Sequence, residues 1–255
     1  MKIRRRTGFH QIVIEDRAGL RSMEFAGVVQ STARVGSPAE GGLEYIDFFH
    51  FPMVLRDNVR RVLFIGLGGG SGPSQFQEDY PEIHIDVVEI DAEIVALASE
   101  LFSFHESPRC RVHVEDGFDF INRARRRWDV IVVDAYMIER GELVVPRELT
   151  TESFFESCRA RLSRDGILVF NSAAAAEALL TCEVRDSLAE VFSDVIGFEA
   201  VTSDNAVLLA SSAPLESRLS RMAQLARDAL KTGRISRHEI VRRSRQLHKG
   251  LTLRR

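Results

Sequence analysis

A glycine-rich loop at residues 66–72 follows directly on an apolar run, 62–65, and is the clearest candidate for a ligand site in the chain. Glycines tolerate positive φ and leave room for a ligand to approach the main chain. A second apolar run, 85–88, ends in Glu89 about twenty residues later, where doubly wound folds place an acidic residue on ribose hydroxyls. Together, the loop and Glu89 predict a site for a nucleoside.

The spacing of the glycines argues against two other kinds of nucleotide site. Gly66, Gly68 and Ser71 occupy the three positions of the dinucleotide fingerprint, but the third is normally Gly or Ala so that helix and strand pack closely. No Gly-Lys-Ser/Thr follows the loop, so the phosphate cradle of nucleotide triphosphatases is absent. A tight strand-to-helix turn that binds no ligand stays open as the alternative.

Two further carboxylates follow apolar runs of the same kind. Asp116 stands before Gly117 after the run 112–114, and Asp134 follows the fully apolar run 130–133. Ligands of parallel sheets bind outside the carboxyl ends of the strands, so we expect both side chains at the nucleoside crevice. The alternative for each is a purely structural role, as a helix cap for Asp116 and a local cap for Asp134.

Apolar strands that alternate with amphipathic segments must position these residues. Such alternation requires parallel strands joined by right-handed crossovers. It predicts an α/β protein with a Rossmann-like, doubly wound, seven-stranded and mostly parallel sheet, preceded by a small β-meander over residues 9–33. The predicted strands are 62–65, 85–88, 112–114, 129–133, 167–170, 195–201 and 206–210.

Three domains follow from this pattern. Residues 1–42 form an N-terminal β-module and loop, residues 43–212 the Rossmann-like catalytic domain, and residues 213–255 a C-terminal helical extension. The domain should begin with a helix over 43–55, and apolar residues at helical spacing predict a docked helix within 215–229. The stretch from residue 231 to 255 carries nine Lys and Arg against one acid. Within it, residues 237–245 form either a solvated face or a patch for an anionic partner.

Composition limits the class of protein. The 255 residues are 45% hydrophobic and 28% charged, which is typical of a globular chain with one main core. No apolar run reaches the roughly 18 residues that a membrane span needs, and the basic start lacks an apolar signal core, so we expect a cytoplasmic protein. Three widely spaced cysteines and scattered histidines show no ligand spacing, so we predict neither disulfide framework nor metal site.

These residues resemble the spermidine synthases, the polyamine aminopropyltransferases, over roughly residues 9–211. The resemblance rests on the glycine loop, on 89–91, 115–118, 129–134 and 149–155, and on the N-terminal stretch 27–31 with Tyr45. Several of these motifs recur in class I methyltransferases, whereas Gln30 in a β-meander is more specific. The resemblance implies a donor that is decarboxylated S-adenosylmethionine, with Asp134 as the base at an amine acceptor. The residues it implies for donor binding are Gln30, Gly66, Gly68, Gly69, Glu89, Asp116 and Gly117.

The sequence departs from the family pattern at three motifs. The family's Gly-Gly-Gly-Asp-Gly loop has Gly69 in place of the Asp that holds the donor's amine. Its Asp-Ser-Ser-Asp-Pro motif reads Asp134-Ala135-Tyr136-Met137-Ile138 here, so the second Asp is lost. Its Tyr-His-Glu motif reads Tyr45-Ile46-Asp47. Glu139 and Glu142 either replace the lost Asp or are solvated loop charges. Tyr45, Asp47 and Tyr136 are therefore the candidate acceptor contacts, with Tyr136 also a catalytic candidate.

The chemistry remains possible because a sulfonium donor is already activated. In-line transfer to an amine needs alignment and one proton acceptor, the role we assign to Asp134, while Tyr136 packs on the cation. Gly69 leaves methyl transfer from S-adenosylmethionine to a small molecule open, and a non-catalytic nucleoside-binding protein is a further alternative. We expect a homodimer that covers the edges of the β-module. Nucleic acid is a disfavoured partner, because Asp134-Ala135-Tyr136-Met137 after the fourth strand lacks the two prolines of the motif common in enzymes that methylate base amino groups.

Overall fold

The computed structural model describes residues 1–173, 178–203 and 205–245, and it opens with a small antiparallel sheet. This sheet has four strands in the order β1-β2-β3-β4, one more than the meander predicted over 9–33. Alternate residues such as Ile12, Ile14 and Met23 face inward and are buried. They pack with Ile94 and Phe102 of the helix Ala92–Phe102. The strands are β1 Lys2–Arg6, β2 Gln11–Arg17, β3 Leu20–Phe25 and β4 Val28–Arg34.

A seven-stranded sheet forms the centre of the main domain, in the order β12-β13-β11-β8-β5-β6-β7. The strands from β11 to β7 in this order pair in parallel, and β13 pairs antiparallel with both β11 and β12. The predicted Rossmann-like, mostly parallel fold is therefore confirmed. The strands are β5 Arg61–Ile65, β6 His84–Glu89, β7 Cys110–Val114, β8 Trp128–Val133, β11 Leu162–Ala173, β12 Asp194–Glu199 and β13 Asn205–Ser211.

Both faces of this sheet are buried, because successive side chains of a strand point to opposite sides. Phe64 of β5 belongs to one hydrophobic cluster and Ile65 to another on the opposite face. Helices cover each face, and among the described residues none is long and apolar enough to cross a membrane. The helices of the main domain are α1 Ile46–Phe49, α2 Phe51–Leu55, α3 Ser71–Asp79, α4 Ala92–Phe102, α5 Gly117–Arg123, a 3₁₀ turn Arg147–Thr150, α6 Glu152–Arg161 and α7 Ala178–Val191.

The helix predicted over 43–55 is two short helices instead of one. The break falls at His50, directly before Phe51 and Pro52 open α2. A proline has no backbone N–H to donate and fits the first turn of a helix, so it favours a new start at this point. Tyr45 lies immediately before α1 and is 5% exposed.

A hairpin of β9 Met137–Glu139 and β10 Glu142–Val144 follows directly on the end of β8 and was absent from the sequence-based prediction. Its Ile138 and Leu143 pack against the cluster under the N-terminal sheet. The hairpin therefore connects the end of β8, next to Asp134, with the N-terminal sheet. These contacts place the sheet over the carboxyl ends of the parallel strands.

The C-terminal extension docks on the main domain through three helices, α8 Glu216–Leu219, α9 Met222–Lys231 and α10 His238–Ser244. As predicted, α9 turns an apolar stripe inward, and it contacts α2. In α10, Ile240 and the guanidinium-bearing Arg243 are also buried. One face of this segment is solvated, with His238, Glu239, Arg242 and Arg245 exposed, while Arg243 on the other face pairs with carboxylates of the main domain. The basic residues beyond 245 lie outside the described residues.

Candidate active site

A cavity of about 370 Å³ lies between the N-terminal sheet and the carboxyl ends of β5, β6 and β8. Its lining includes every residue that the sequence predicted for the site except Gly69 and Asp47. The N-terminal part contributes Phe9, His10, Phe25, Gln30 and Ser31. The main domain contributes 65–68, 88–90, 116–119, 134–137, Tyr45, Ile94, Pro146, Glu148 and Leu149. The proximity of the predicted side chains supports one common ligand site.

The glycine loop lies between β6 and the strand that carries Asp134. Gly66 has φ +102°, and a Cβ at this position would lie 2.1 Å from the backbone oxygen of Asp134. No side chain fits there, because real contacts are longer. Gly66 also donates its N–H to the carbonyl oxygen of Val88 at 2.8 Å. The loop is thus held against β6 on one side and against β8 on the other.

Glu89 is buried at the end of β6 and braces this loop. Its Oε2 accepts the N–H of Leu67 and its Oε1 accepts the N–H of Asp91, each at 3.0 Å. Burial raises the pKa of Glu89 above its usual value, and the two backbone hydrogen bonds oppose that shift. Each carboxylate oxygen has a second lone pair for a ligand hydroxyl. The structure therefore gives Glu89 a structural role as well as a place in the cavity.

Asp116 caps α5 and lines the cavity at the same time. Its Oδ1 accepts the N–H groups of Phe118 at 2.8 Å and Asp119 at 3.1 Å, so both cap bonds use one oxygen. At the next position, a Cβ on Gly117 would lie 2.5 Å from Cγ2 of Ile65. The helix start therefore sits against β5 at a distance that requires glycine, and this contact holds Asp116 at the crevice.

Asp134 lies at the mouth of β8 between two hydrogen-bond donors. Tyr45 donates its hydroxyl to Oδ2 at 3.3 Å, and Asn171 donates Nδ2–H to Oδ1 at 2.7 Å. Burial raises the pKa of Asp134 to about 6, although both donors favour the charged form. Burial and the nearby Asp134 also raise the pKa of Tyr45 well above its usual value, so this phenol stays protonated. A carboxylate with this pKa can hold a cation and then accept a proton near neutral pH.

Tyr136 lies on the same side of the cavity as Asp134. Its hydroxyl donates to the backbone oxygen of Asn171 at 3.1 Å, while its ring forms part of the lining. The predicted catalytic role of Tyr136 remains a prediction, since this hydrogen bond fixes the phenol but assigns it no proton transfer. The ring is placed to contact a cation through its π face.

Asn171 was missed by the sequence analysis. It is 1% exposed, and its Oδ1 accepts Nδ2–H of Asn205 at 3.1 Å, which orients the amide so that Nδ2 faces Asp134. Phe170 of β11 is in register with Val133 of β8, so Asn171 lies beside Asp134 at the end of β8. The strand-end rule that selected Asp134 applies equally to a polar residue that ends the neighbouring apolar run.

His10 was also missed, because a lone histidine near the chain start shows no motif. Its ring stacks on Phe25 with centroids 4.2 Å apart, and it lines the cavity. Its Nδ1 is buried and has no hydrogen-bond partner among the described residues. Burial lowers the pKa of His10, an effect that the charge of Asp91 opposes. The N-terminal sheet thus contributes a largely uncharged aromatic wall.

Gly69 and Asp47 lie outside the cavity lining. Gly69 donates its N–H to Oγ of Ser31 at 2.8 Å, and a Cβ there would lie 2.8 Å from the ring of Phe102. Asp47 instead accepts a hydrogen bond from Nε of Arg243 at 3.0 Å, and burial raises its pKa. Glu139 and Glu142, the candidate replacement acids, are exposed on the hairpin and do not line the cavity.

The cavity is acidic. Its lining contains five carboxylates and, within the described part of the chain, neither Lys nor Arg. Such a lining favours cations, because low-dielectric walls strengthen the field of like charges. The described residues include no group of three or more His, Cys, Asp or Glu side chains that could hold a metal ion. The five carboxylates are Glu89, Asp116, Asp119, Asp134 and Glu148.

Sequence comparisons connect this site with two kinds of transferase. The polyamine aminopropyltransferase of Vibrio vulnificus is 35% identical over 176 residues, which are 67% of this chain and 57% of that protein. The eEF1A lysine and N-terminal methyltransferase of Bos taurus is 33% identical over 127 residues, 47% of this chain but 18% of that protein. The chain thus spans less than two thirds of the length of either relative.

Solved structures share the fold. A probable spermidine synthase from Corynebacterium glutamicum aligns with a TM-score of 0.74 at 22% identity, over 90% of this chain and 87% of that one. Human methyltransferase-like protein 13 in complex with SAH aligns with a TM-score of 0.66 at 26% identity, over 74% of this chain and 92% of that one. Residues 44–205 match the spermine/spermidine synthase domain. The chain belongs to the spermine/spermidine synthase domain family.

Proposed function

We propose that this protein transfers an alkyl group from a sulfonium nucleoside to an amine, with aminopropyl transfer from decarboxylated S-adenosylmethionine as the first candidate. The observation that carries the proposal is the buried carboxylate of Asp134, whose pKa is about 6, inside an acidic cavity that also contains Glu89 and Asp116. The decarboxylated donor carries a sulfonium and an ammonium group, and both charges suit this lining.

The donor residues divide the nucleoside between them. Glu89 binds the ribose hydroxyls with the lone pairs that its backbone contacts leave available, and Asp116 with Gly117 holds the adenine. Gln30 approaches the donor from the N-terminal sheet, with its amide half-buried at the cavity wall. The loop glycines let the donor lie against the main chain. No metal takes part in this proposal.

The transfer itself is a displacement at carbon. The amine nitrogen attacks the donor carbon, a nitrogen–carbon bond forms, and the sulfur–carbon bond breaks with its electron pair remaining on sulfur. Methylthioadenosine leaves as the neutral thioether. Asp134 first pairs with the ammonium form of the acceptor and then takes the proton that nitrogen must lose. Tyr45 and Asn171 orient the carboxylate, and Tyr136 packs on the cationic acceptor.

Methyl transfer from S-adenosylmethionine to a small molecule is a second candidate, because Gly69 replaces the acidic residue of the family's loop. The space beside Gly69 is filled by Phe102 and Ser31, neither of which carries a charge. Without a carboxylate there, the carboxylate of S-adenosylmethionine meets no repulsion from the loop. The similarity to methyltransferase-like protein 13 supports this candidate.

The deciding experiment identifies the product. The protein is incubated with each donor and a panel of primary amines, and nucleoside products are separated by mass spectrometry. Methylthioadenosine supports aminopropyl transfer, and S-adenosylhomocysteine supports methyl transfer. Tight binding of both donors by calorimetry with neither product would overturn both candidates in favour of a non-catalytic nucleoside-binding protein. The Asp134→Asn variant serves as the matched control for background hydrolysis.

We also propose that the protein is a cytoplasmic homodimer. Cys110 and Cys158 are buried free thiols, as suits a reducing compartment. In the described part of the chain, β4 is an edge strand of the N-terminal sheet and exposes Val28 and Val29. Pairing of two copies along such an edge covers both apolar side chains and unpaired backbone groups. A monomeric mass by light scattering at micromolar concentration would contradict the dimer.

A further inference from the structure

Arg243 of the C-terminal extension forms two buried ion pairs with the segment that carries Tyr45. Its Nη1 lies 2.5 Å from Oε1 of Glu44, and its Nε lies 3.0 Å from Oδ2 of Asp47. The three side chains are 10%, 3% and 15% exposed, in the order Arg243, Glu44 and Asp47. The two carboxylates flank Tyr45 and Ile46 along the chain. One guanidinium therefore fixes both ends of a four-residue segment.

Glu44 also holds the connection between β12 and β13. Its carboxylate accepts the N–H of Val201 at 3.1 Å and the N–H of Thr202 at 2.6 Å. Burial raises the pKa of Glu44, but the hydrogen bonds from Thr202 and Val201 and the charge of Arg243 together hold it below its usual value. Glu44 is thus a buried, charged carboxylate with one cationic partner among the described residues. Arg243 is the partner that compensates its buried charge.

Tyr45 connects this segment to the reacting groups. Its ring packs edge-on against Phe49 with centroids 5.5 Å apart, and its hydroxyl donates to Asp134. We propose that Arg243 is a positioning residue, which holds segment 44–47 so that the Tyr45 hydroxyl reaches the carboxylate of Asp134. This inference rests on the proposed function for its catalytic meaning, but its structural content can be tested without any turnover.

The physical reason is the cost of unpaired buried charge. Without Arg243, Glu44 and Asp47 repel each other at buried positions, and separating them requires the intervening backbone to move. Glu239 and Arg242 of α10 also act on Asp47: the charge of Glu239 raises the pKa of Asp47 and the charge of Arg242 lowers it. If this backbone moves, Asp134 keeps the hydrogen bond from Asn171 but loses the one from Tyr45. The pKa of Asp134 then rises, because a hydrogen-bond donor stabilises the charged carboxylate.

The experiment reads the pKa of Asp134 directly. Side-chain carboxyl carbons of aspartate are labelled with ¹³C and titrated by NMR, and Asp134→Asn assigns the resonance. The variants are Arg243→Met, Tyr45→Phe and the double variant. Arg237→Met is the matched control, because Arg237 precedes the same helix and pairs with Asp79 of α3 without contacting segment 44–47. Calorimetry with methylthioadenosine checks that each variant still binds nucleoside.

We expect Arg243→Met to raise the pKa of Asp134 by about half a unit to one unit, in the same direction as Tyr45→Phe. The double variant should shift no further than Tyr45→Phe, since both changes remove the same hydrogen bond. Arg237→Met should leave the titration unchanged. An unshifted Asp134 in Arg243→Met, or equal shifts in both arginine variants, overturns the proposal.

Two additions keep the outcome decisive. If Arg243→Met does not fold, Arg243→Lys retains the charge without the two-pronged contact, and it should give a smaller shift in the same direction; no shift overturns the inference. Where a transfer product is found, the acidic limb of the pH profile should move with the NMR titration. If the variants shift the pKa of Asp134 as expected but the wild-type protein yields no transfer product, this inference stands and only the proposed function is overturned.

Discussion

The environment of Asp134 combines features that serve proton transfer with features that cost stability. The carboxylate is withdrawn from water at the mouth of β8, and within the described residues Tyr45 at 3.3 Å and Asn171 at 2.7 Å donate hydrogen bonds to it. A carboxylate in solution is better solvated than this one. The ionised form that a base needs is therefore also the form that the folded protein disfavours.

Replacing Asp134 with Asn should remove the base while keeping the site intact. We expect transfer to fall by about 10²–10⁴-fold, the usual range for losing a positioned proton acceptor. The amide can still accept the Asn171 hydrogen bond and offer its own N–H to Tyr45, so the fold should persist. Single-turnover transfer at saturating donor measures the effect, with methylthioadenosine affinity as the control. Turnover within twofold of wild type would contradict this role.

The same substitution should stabilise the protein at neutral pH. The pKa of Asp134 is about 6 in the folded state against 3.8 ordinarily, so the folded state binds this proton more tightly than the unfolded chain. Stability contributed by the protonated form is present below the unfolded pKa and is lost as pH rises through about 6. We expect Asp134→Asn to gain about 1–3 kcal/mol at neutral pH.

Urea unfolding across the acidic range checks this prediction. The advantage of Asp134→Asn should shrink as pH falls from about 6 toward 4, because the wild-type carboxyl then becomes neutral as well. Asp165→Asn is the control, since Asp165 is exposed and lies outside the cavity. A gain that is independent of pH, or equal in both variants, would show that Asp134 carries no such penalty.

Glu89 is the residue whose loss should weaken donor binding most directly. Since both of its oxygens accept backbone N–H groups, Glu89→Gln is a better test than alanine, because it retains one acceptor and the shape. We expect methylthioadenosine to bind about 1–3 kcal/mol more weakly, as hydrogen bonds to a charged carboxylate are lost. Calorimetry measures this against Glu93→Gln, an exposed control on α4. Equal methylthioadenosine affinities in Glu89→Gln and Glu93→Gln would show that Glu89 does not bind the ribose.

At the scale of elements, the junction of β5 with the start of α5 sets the position of Asp116. Gly117→Ala places a Cβ 2.5 Å from Cγ2 of the buried Ile65, so helix and strand must separate. We expect a loss of about 1–3 kcal/mol in the free energy of unfolding and a weaker affinity for methylthioadenosine. Gly8→Ala is the control, because nothing lies within 4 Å of a Cβ there. Unchanged affinity for methylthioadenosine in Gly117→Ala would show that Asp116 takes no part in adenine binding.

The parallel strands and the loops at their carboxyl ends were predictable because both follow from local pattern. Val62 to Ile65 is apolar on both faces, and such a run followed by glycines favours a buried strand and a turn. The hairpin β9–β10 was not predictable, since its strands are three residues long and gain stability from packing on the N-terminal sheet. Short elements held by distant contacts leave little periodicity in the sequence.

The site residues divide in the same way. Glu89, Asp116 and Asp134 follow apolar runs, so a local rule selects them, and the structure brings all three to one cavity. Asp47 was selected by its place in a family motif, but its partner Arg243 is 196 residues away along the chain. A pairing over that separation arises from the docking of α10, which no local pattern encodes.

For the whole molecule, the cavity couples the N-terminal sheet to the main domain. We expect methylthioadenosine to slow hydrogen exchange in β2 and β3 as well as in the glycine loop, because His10 and Phe25 form one wall of the cavity. Exchange followed by mass spectrometry at saturating ligand tests this, with α9 as the internal control. Protection confined to the loops of the main domain would show that the N-terminal sheet takes no part in binding.

The backbone contact at Gly66 has a consequence for how this site can evolve. The glycine loop and the end of β8 meet where no side chain fits, so substitutions at Gly66 should impair both nucleoside affinity and the position of Asp134. We therefore expect Gly66 to be retained in related proteins that keep this site. The N-terminal sheet contributes side chains such as Phe9 and Gln30, which can vary one at a time. Divergence in substrate choice should accordingly accumulate on that wall, while the opposite wall stays fixed.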